Sequence, residues 1–281
     1  MANPALNNNP AFSGRTMTAE ELDRIYNQPA AQLQRPGVDA QAQQDPNAPL
    51  QHPPLSADTG DGRVMTYENT ISKTVFLFLI VLAGGAAGWF LTLQLPALPM
   101  IAAIVGLVLG LVNAFKREPS VPLIVLYAAA QGVFLGGISM IFELMYPGIV
   151  FQAVLGTLSV FAVTLLLFRS GKVRTSPRLT KMFFIAMGGY LLFSIVNVVL
   201  MLTVPGMDAF GLRSGGLGII IGLLAVLLAA YSLVMDFESI RNGVQNRVPE
   251  KWAWAAAFGL LVTLIWLYVE ILRILAIFRN S

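Results

Sequence analysis

The chain divides into a polar segment and a long series of apolar runs. Residues 1–64 are rich in Asn, Gln, Pro and Ala, as in QAQQDPNAPLQHPP. Seven apolar runs follow, each of about 18 to 27 residues, and about 20 such residues cross a bilayer as a helix. They lie at 73–95, 98–115, 121–143, 149–168, 181–204, 215–236 and 252–278. The pattern predicts an all-α integral membrane protein with seven transmembrane helices.

The polar segment predicts a disordered N-terminal tail over residues 1–64, ahead of a seven-helix transmembrane domain over 65–281. Such a composition buries too little apolar surface to offset the entropy of ordering the chain. Within it, TAEELDRIY at 18–26 has a Thr followed three residues later by Glu, a capping-box pattern. This piece is either a transient helix or a docking motif for a partner. A signal peptide's basic start and apolar core are lacking, so no cleavage is expected.

The basic residues between the runs predict the orientation. Twelve fall on one side of the membrane, against Arg213 and Arg279 on the other. The twelve are Arg63, Lys73, Lys116, Arg117, Arg169, Lys172, Arg174, Arg178, Lys181, Arg241, Arg247 and Lys251. Because basic loops stay in the cytoplasm, the N-terminus is predicted to be cytoplasmic and the C-terminus outside. Thr66 or Asn69 is the predicted cap of the first helix.

The composition limits the kinds of functional site that the chain can carry. Apolar residues make up 56% of the chain and charged residues 12%, where a soluble domain has about 25%. The chain has no cysteine, and its single histidine, His52, lies in the polar segment, which argues against thiolate and histidine sites. The net charge is +3, and the basic residues lie in the loops between the apolar runs, so nucleic acid is not an expected partner. With no nucleotide loop or nucleophile motif present, we expect neither an enzyme nor a required cofactor.

Three acids remain as candidates for chemistry within the runs. Glu143 ends the third run beside a YPG turn, which favours an interfacial role. Asp236 ends the sixth run, and Glu270 lies well inside the seventh. A carboxylate at membrane depth costs several kcal/mol unless it is neutralised or paired, so Asp236 and Glu270 are the candidate functional residues. Arg273, three residues after Glu270 on the same helix face, is its candidate partner.

Other residues predict contacts between helices. Gln131 and Asn197 are candidate hydrogen-bonding groups of the interior, together with Tyr190, Ser194 and Tyr231. Small-residue clusters such as AGGAAG at 83–88 and FLGGIS at 134–139 predict close helix packing. The GxxxG spacing of Gly106 and Gly110 is weak evidence for a dimer.

Four motifs in order resemble the Bax inhibitor-1 family of seven-span membrane proteins, in its bacterial, YccA-like branch. They are AAAQGVFLGGIS at 128–139, YPGIVFQAVLGT at 146–157, YSLVMDFESIRNGV at 231–244 and LYVEILRIL at 267–275. The resemblance covers residues 65–281. It implies a multi-pass protein of the bacterial plasma membrane with a pH-sensitive calcium-leak activity, in which Ca²⁺ is the transported or bound ion.

The resemblance also implies a site. In that family, carboxylates of the sixth and seventh spans sit together, share a proton and gate the pore, and Asp236 and Glu270 match them. Two adjacent carboxylates titrate together and attract Ca²⁺. The sequence departs from the family pattern at Gln131, where Glu is frequent, and in a second span with no basic residue before Lys116, so Arg273 is the substitute partner.

The spacing of the two acids makes the pairing conditional. Asp236 is about ten residues from the centre of the connecting loop and Glu270 about 24, an offset of roughly 20 Å in a straight hairpin. Pairing therefore requires the seventh span to start late, with residues 251–259 along the membrane surface.

Two other classes of function remain open. The protein could instead be a stress or quality-control regulator that binds other membrane proteins, such as a membrane protease, through residues 1–64. A secondary transporter is less favoured, because the runs show no clear internal repeat.

Overall fold

Seven long helices make up the structure, a computed structural model that describes residues 63–206 and 210–280. They are α1 Tyr67–Thr92, α2 Leu98–Phe115, α3 Val121–Met145, α4 Ile149–Arg169, α5 Pro177–Thr203, α6 Gly215–Gln245 and α7 Trp252–Asn280. A short 3₁₀ turn, Gly211–Arg213, precedes α6. All seven are long and apolar enough to cross a membrane, which confirms the predicted all-α, seven-helix membrane fold. The tail predicted at 1–64, its 18–26 segment and His52 lie almost wholly outside the described residues.

Several helices extend beyond the apolar runs that predict them, and polar residues form the added turns. α1 starts at Tyr67 because Thr66 and Asn69 form a reciprocal capping box, as predicted. α5 starts at Pro177, where the Ser176 hydroxyl accepts a hydrogen bond from the amide of Leu179. α6 continues nine residues past Asp236, since polar residues end the apolar run without ending the helix. Asp236 is therefore inside α6 and not at its end.

α7 is the central helix of the fold. It packs against α1, α3, α4 and α6, and fifteen of its 29 residues are buried. Each of the three buried apolar clusters contains α7 side chains: Leu260 and Leu264 in the first, Leu261 in the second and Leu272 in the third. A helix that is apolar on every face is stable when neighbours surround it, which is the position of α7.

α5 differs from α7 in that few of its residues are buried. Only Phe183 and Asn197 of this helix are buried, and large side chains such as Leu192 and Leu202 are exposed. Its contacts include a hydrogen bond of 2.9 Å between Thr180 and Tyr231 of α6. α5 is therefore a peripheral helix attached by a few aromatic and polar side chains.

Glycines bring α1 and α3 into backbone contact, as the small-residue clusters predict. A Cβ on Gly136 would lie 1.9 Å from the carbonyl oxygen of Gly85, and one on Gly88 would lie 2.2 Å from that of Val133. Gly106 and Gly110 of α2 face Gln131 and Tyr127 of α3. Their spacing therefore serves packing within one chain.

Gly136→Ala is expected to destabilise the protein by about 1–3 kcal/mol, because the added methyl overpacks a rigid backbone contact. Gly188→Ala is the matched control, since a Cβ there meets nothing within 4 Å. That substitution should be neutral or stabilise by up to about 1 kcal/mol. Thermal unfolding of both variants in detergent makes the comparison, and equal effects would contradict the α1–α3 contact.

Candidate functional site

Asp236 projects from α6 towards α7. Its Oδ2 accepts a hydrogen bond of 2.7 Å from the Thr263 hydroxyl, and that hydroxyl lies 3.2 Å from the hydroxyl of Ser232. A Cβ on Gly259 would lie 3.2 Å from Asp236 Oδ1, so the glycine leaves room for the carboxylate. Among the described residues no ion pair involves Asp236. The carboxylate is thus held by neutral groups, and its surroundings do not neutralise its charge.

A cavity of about 380 Å³ opens beside this carboxylate. It extends towards the α6–α7 connection, which lies on the side with the twelve basic residues, here called the basic side. Besides Asp236, its walls include Ser239 and Gly243 of α6 and Trp252 and Gly259 of α7. Of the two candidate acids, Asp236 is therefore the one nearer the basic side.

The segment before α1 covers this cavity. Met65, which is 3% exposed, lines it and donates its amide hydrogen to the Val248 carbonyl at 2.8 Å. The amide of Glu250 donates to the Arg63 carbonyl at 3.0 Å. Lys73 of α1 lies 2.6 Å from the Glu250 carboxylate, and this contact lowers the pKa of Glu250. Together these bonds clamp the start of α1 onto the α6–α7 connection.

Glu270 occupies a second polar cluster, nearer the other end of α7. Its Oε2 accepts a hydrogen bond from Arg273, one turn further along α7, as the spacing predicts. Its Oε1 accepts from the Tyr190 hydroxyl of α5 and lies 3.8 Å from Nη1 of Arg213. Glu270 itself is 3% exposed. A buried carboxylate is thus held by two guanidinium groups and a phenol.

Arg213 is the residue of this cluster that the sequence did not reveal. It lies in the 3₁₀ turn before α6 and reaches into the bundle, where it donates to Tyr190 at 3.2 Å and to the Ser194 hydroxyl. Its guanidinium also lies over the Tyr190 and Phe193 rings. In the sequence it is simply a loop arginine. The one hint in the sequence was that the Glu270 carboxylate can accept more hydrogen bonds than Arg273 alone donates, so a second donor was to be expected.

The two acids do not meet in this structure. Asp236 is bonded to Thr263, and Thr263 and Glu270 are seven residues apart on one helix, a rise of about 10 Å. Leu267, which is fully buried, and Trp266, whose ring lies 5.8 Å from that of Tyr190, occupy the interval. The late start that pairing required is absent, since α7 is a continuous helix from Trp252.

A model of the Bax inhibitor 1 like family matches residues 3–280. The chain belongs to this family. The match confirms the resemblance read from the motifs and extends it across the polar N-terminal segment. A comparison with curated proteins finds no significant match.

The other candidate residues of this Bax inhibitor 1 like protein have local roles. Glu143 accepts from the amides of Gly148 and Val150 and so closes the α3–α4 turn, as its position indicated. Asn197 accepts from the Leu212 amide at 2.6 Å and thereby fixes the 3₁₀ turn that carries Arg213. Gln131 packs against α2 with its buried Oε1 unpartnered among the described residues.

No metal site is evident among the described residues, where no three acidic or histidine side chains lie together. Ca²⁺ normally takes six to eight oxygen ligands. Asp236 and Glu270 therefore do not form a shared calcium site in this conformation. Asp236, with the hydroxyls of Thr263 and Ser232 nearby, offers a partial oxygen set suited to transient contact with a cation.

The Lys73–Glu250 clamp predicts a specific pH dependence. Because the folded-state pKa of Glu250 lies below its ordinary value of 4.5, the pair stabilises the fold above that pH. The contribution is lost as the pH falls through the lowered pKa. Glu250→Gln should therefore lower the Tm in detergent at neutral pH and lose less stability than the wild type on acidification.

Glu118→Gln is the matched control, since Glu118 pairs with Lys251 at 2.9 Å on an exposed surface. Exposed pairs contribute little. If both variants follow the wild-type Tm at every pH, the clamp does not stabilise the protein.

Proposed function

We propose that this multi-pass membrane protein of the Bax inhibitor 1 like family is a pH-sensitive calcium leak, and that the structure corresponds to its closed state. The observation that supports this most is the Asp236 carboxylate of the sixth apolar helix, which lies beside a cavity and forms no ion pair among the described residues. Intramembrane acids of this kind mark ion pathways. Asp236 and Glu270 are the proposed residues of the pathway, and they lie at two different levels along α7.

Asp236 is the proposed acceptor of the cation. Its carboxylate and the nearby hydroxyls of Thr263 and Ser232 are oxygen ligands, which Ca²⁺ prefers. A proton competes with Ca²⁺ for the same carboxylate oxygens. The flux should therefore depend on pH without the paired acids expected from the family, because one carboxylate suffices for this competition.

The proposed closure lies between Asp236 and Glu270. Leu267 fills this level, and Trp266 packs on Tyr190 of α5. Beyond it, Glu270 holds Tyr190 and Arg213, and so attaches α5 and the following turn to α7. Since α5 is seated by few buried residues, its displacement is the proposed route to opening.

Asp236→Asn is expected to lower calcium flux several-fold in proteoliposomes and to flatten its pH dependence, because the amide neither titrates nor attracts the cation. Glu270→Gln is expected to raise the leak, because it weakens the hold on Tyr190 and Arg213. Glu118→Gln, at an exposed pair, is the control. Wild-type flux and pH profile in both Asp236→Asn and Glu270→Gln would remove the proposal.

A second candidate function is regulation by binding other membrane proteins, such as a membrane protease. The observation that favours it is the reach of the family match, which begins at residue 3 and so includes the polar segment. A segment of this composition is suited to docking partners.

Deletion of residues 1–62 separates the two candidates. A leak through the helices should retain wild-type calcium flux in proteoliposomes after the deletion, because every residue of the proposed pathway and closure lies outside the deleted segment. If the deletion abolishes flux from correctly folded protein, the pathway assigned to Asp236 and Glu270 is incomplete.

A further inference from the structure

The cluster around Glu270 carries an excess positive charge. Arg213 and Arg273 contribute two guanidinium charges, and Glu270 contributes one carboxylate, which leaves one positive charge. Arginine does not deprotonate in proteins, so the excess is permanent. Among the described residues no other acid forms an ion pair with either guanidinium. The excess is also buried, since Arg273 is 8% exposed and the Arg213 side chain 13%.

The same cluster has buried donors without acceptors. Nε and Nη1 of Arg273 and Nε of Arg213 are inaccessible and have no hydrogen-bond partner among the described residues. Buried polar groups are nearly always bonded, and an orphaned donor suggests an unseen water or ion. Three orphaned donors on two cations favour an acceptor that is negatively charged.

A glycine of α6 lies against the cluster. On α6, Gly222 faces Arg273, and a Cβ there would lie 3.5 Å from Nη2 of Arg273 and 2.4 Å from Ile274. The lack of a side chain at Gly222 thus allows α6 to approach Arg273 closely.

We propose that Arg213 and Arg273 form a binding site for one small monovalent anion, of which chloride is the simplest example. One excess charge matches one monovalent anion, and the orphaned Nε of Arg213 together with one orphaned N–H group of Arg273 would supply its hydrogen bonds. The donors are fully covered, which favours a compact ion over a lipid headgroup. The site is separate from the cation level at Asp236, and it stands whether or not the protein conducts calcium.

The test is the chloride dependence of thermal unfolding of the purified full-length protein in detergent. Sodium chloride is compared with sodium gluconate at equal ionic strength. An ion that binds the folded state raises the Tm in a saturable manner, which gives an apparent affinity. We expect chloride to raise the wild-type Tm in this way and the bulkier gluconate not to do so.

Two variants move the affinity in opposite directions. Arg213→Gln removes the excess charge and should weaken chloride binding at least about tenfold, given the strength of charge interactions at short range. Glu270→Gln adds one positive charge to the site, and its amide oxygen can still accept from Arg273, so binding should tighten by a similar factor. Arg279→Gln is the matched control, because Arg279 bonds to the Pro147 carbonyl and to Gln152, away from the cluster.

Several results would contradict the proposed anion site. Equal Tm values in chloride and gluconate, an unchanged affinity in Arg213→Gln, or weaker binding in Glu270→Gln each do so. A rise in Tm that follows anionic lipid and not chloride would assign the cluster to a headgroup instead. If Arg213→Gln does not yield folded protein, Glu270→Gln decides alone, since only an uncompensated charge predicts tighter binding.

Discussion

The buried carboxylate of Glu270 connects three separate elements of this protein. A charge at membrane depth is costly unless it is paired, and Glu270 is paired with arginines from two different elements. Arg273 is on its own helix, whereas Arg213 comes from the turn before α6. Tyr190 adds a bond from α5. The requirement to satisfy one acid therefore attaches the peripheral α5 and its turn to the central α7.

The central position of α7 explains how Glu270 contacts several elements. Because α7 packs against α1, α3, α4 and α6, its side chains at successive levels meet different neighbours. Near the basic side, Thr263 meets Asp236 of α6. Two turns later, Glu270 meets α5 and the 3₁₀ turn. Leu267 and Trp266 lie between these two polar levels along α7.

The sequence predicts the elements well and the polar contacts only in part. Seven helices follow from run length, the α1 cap follows from Thr66 and Asn69, and the Glu270–Arg273 bond follows from local spacing. Arg213 could not be predicted, because its contact with Glu270 depends on how a loop folds back into the bundle. The family-based pairing of Asp236 and Glu270 depends on where α7 starts, and a continuous helix from Trp252 places them apart.

The central claim is that Asp236 and Glu270 act in separate clusters, and a double-mutant cycle tests it directly. Unfolding free energies would be measured in detergent for Asp236→Asn, Glu270→Gln and the double variant. Because Thr263 and Glu270 are about 10 Å apart along α7 and the two acids share no hydrogen-bond partner among the described residues, their effects should be additive within about 0.5 kcal/mol, and we predict that result. A coupling energy well above about 1 kcal/mol would show that the two carboxylates interact, and would contradict the account given above.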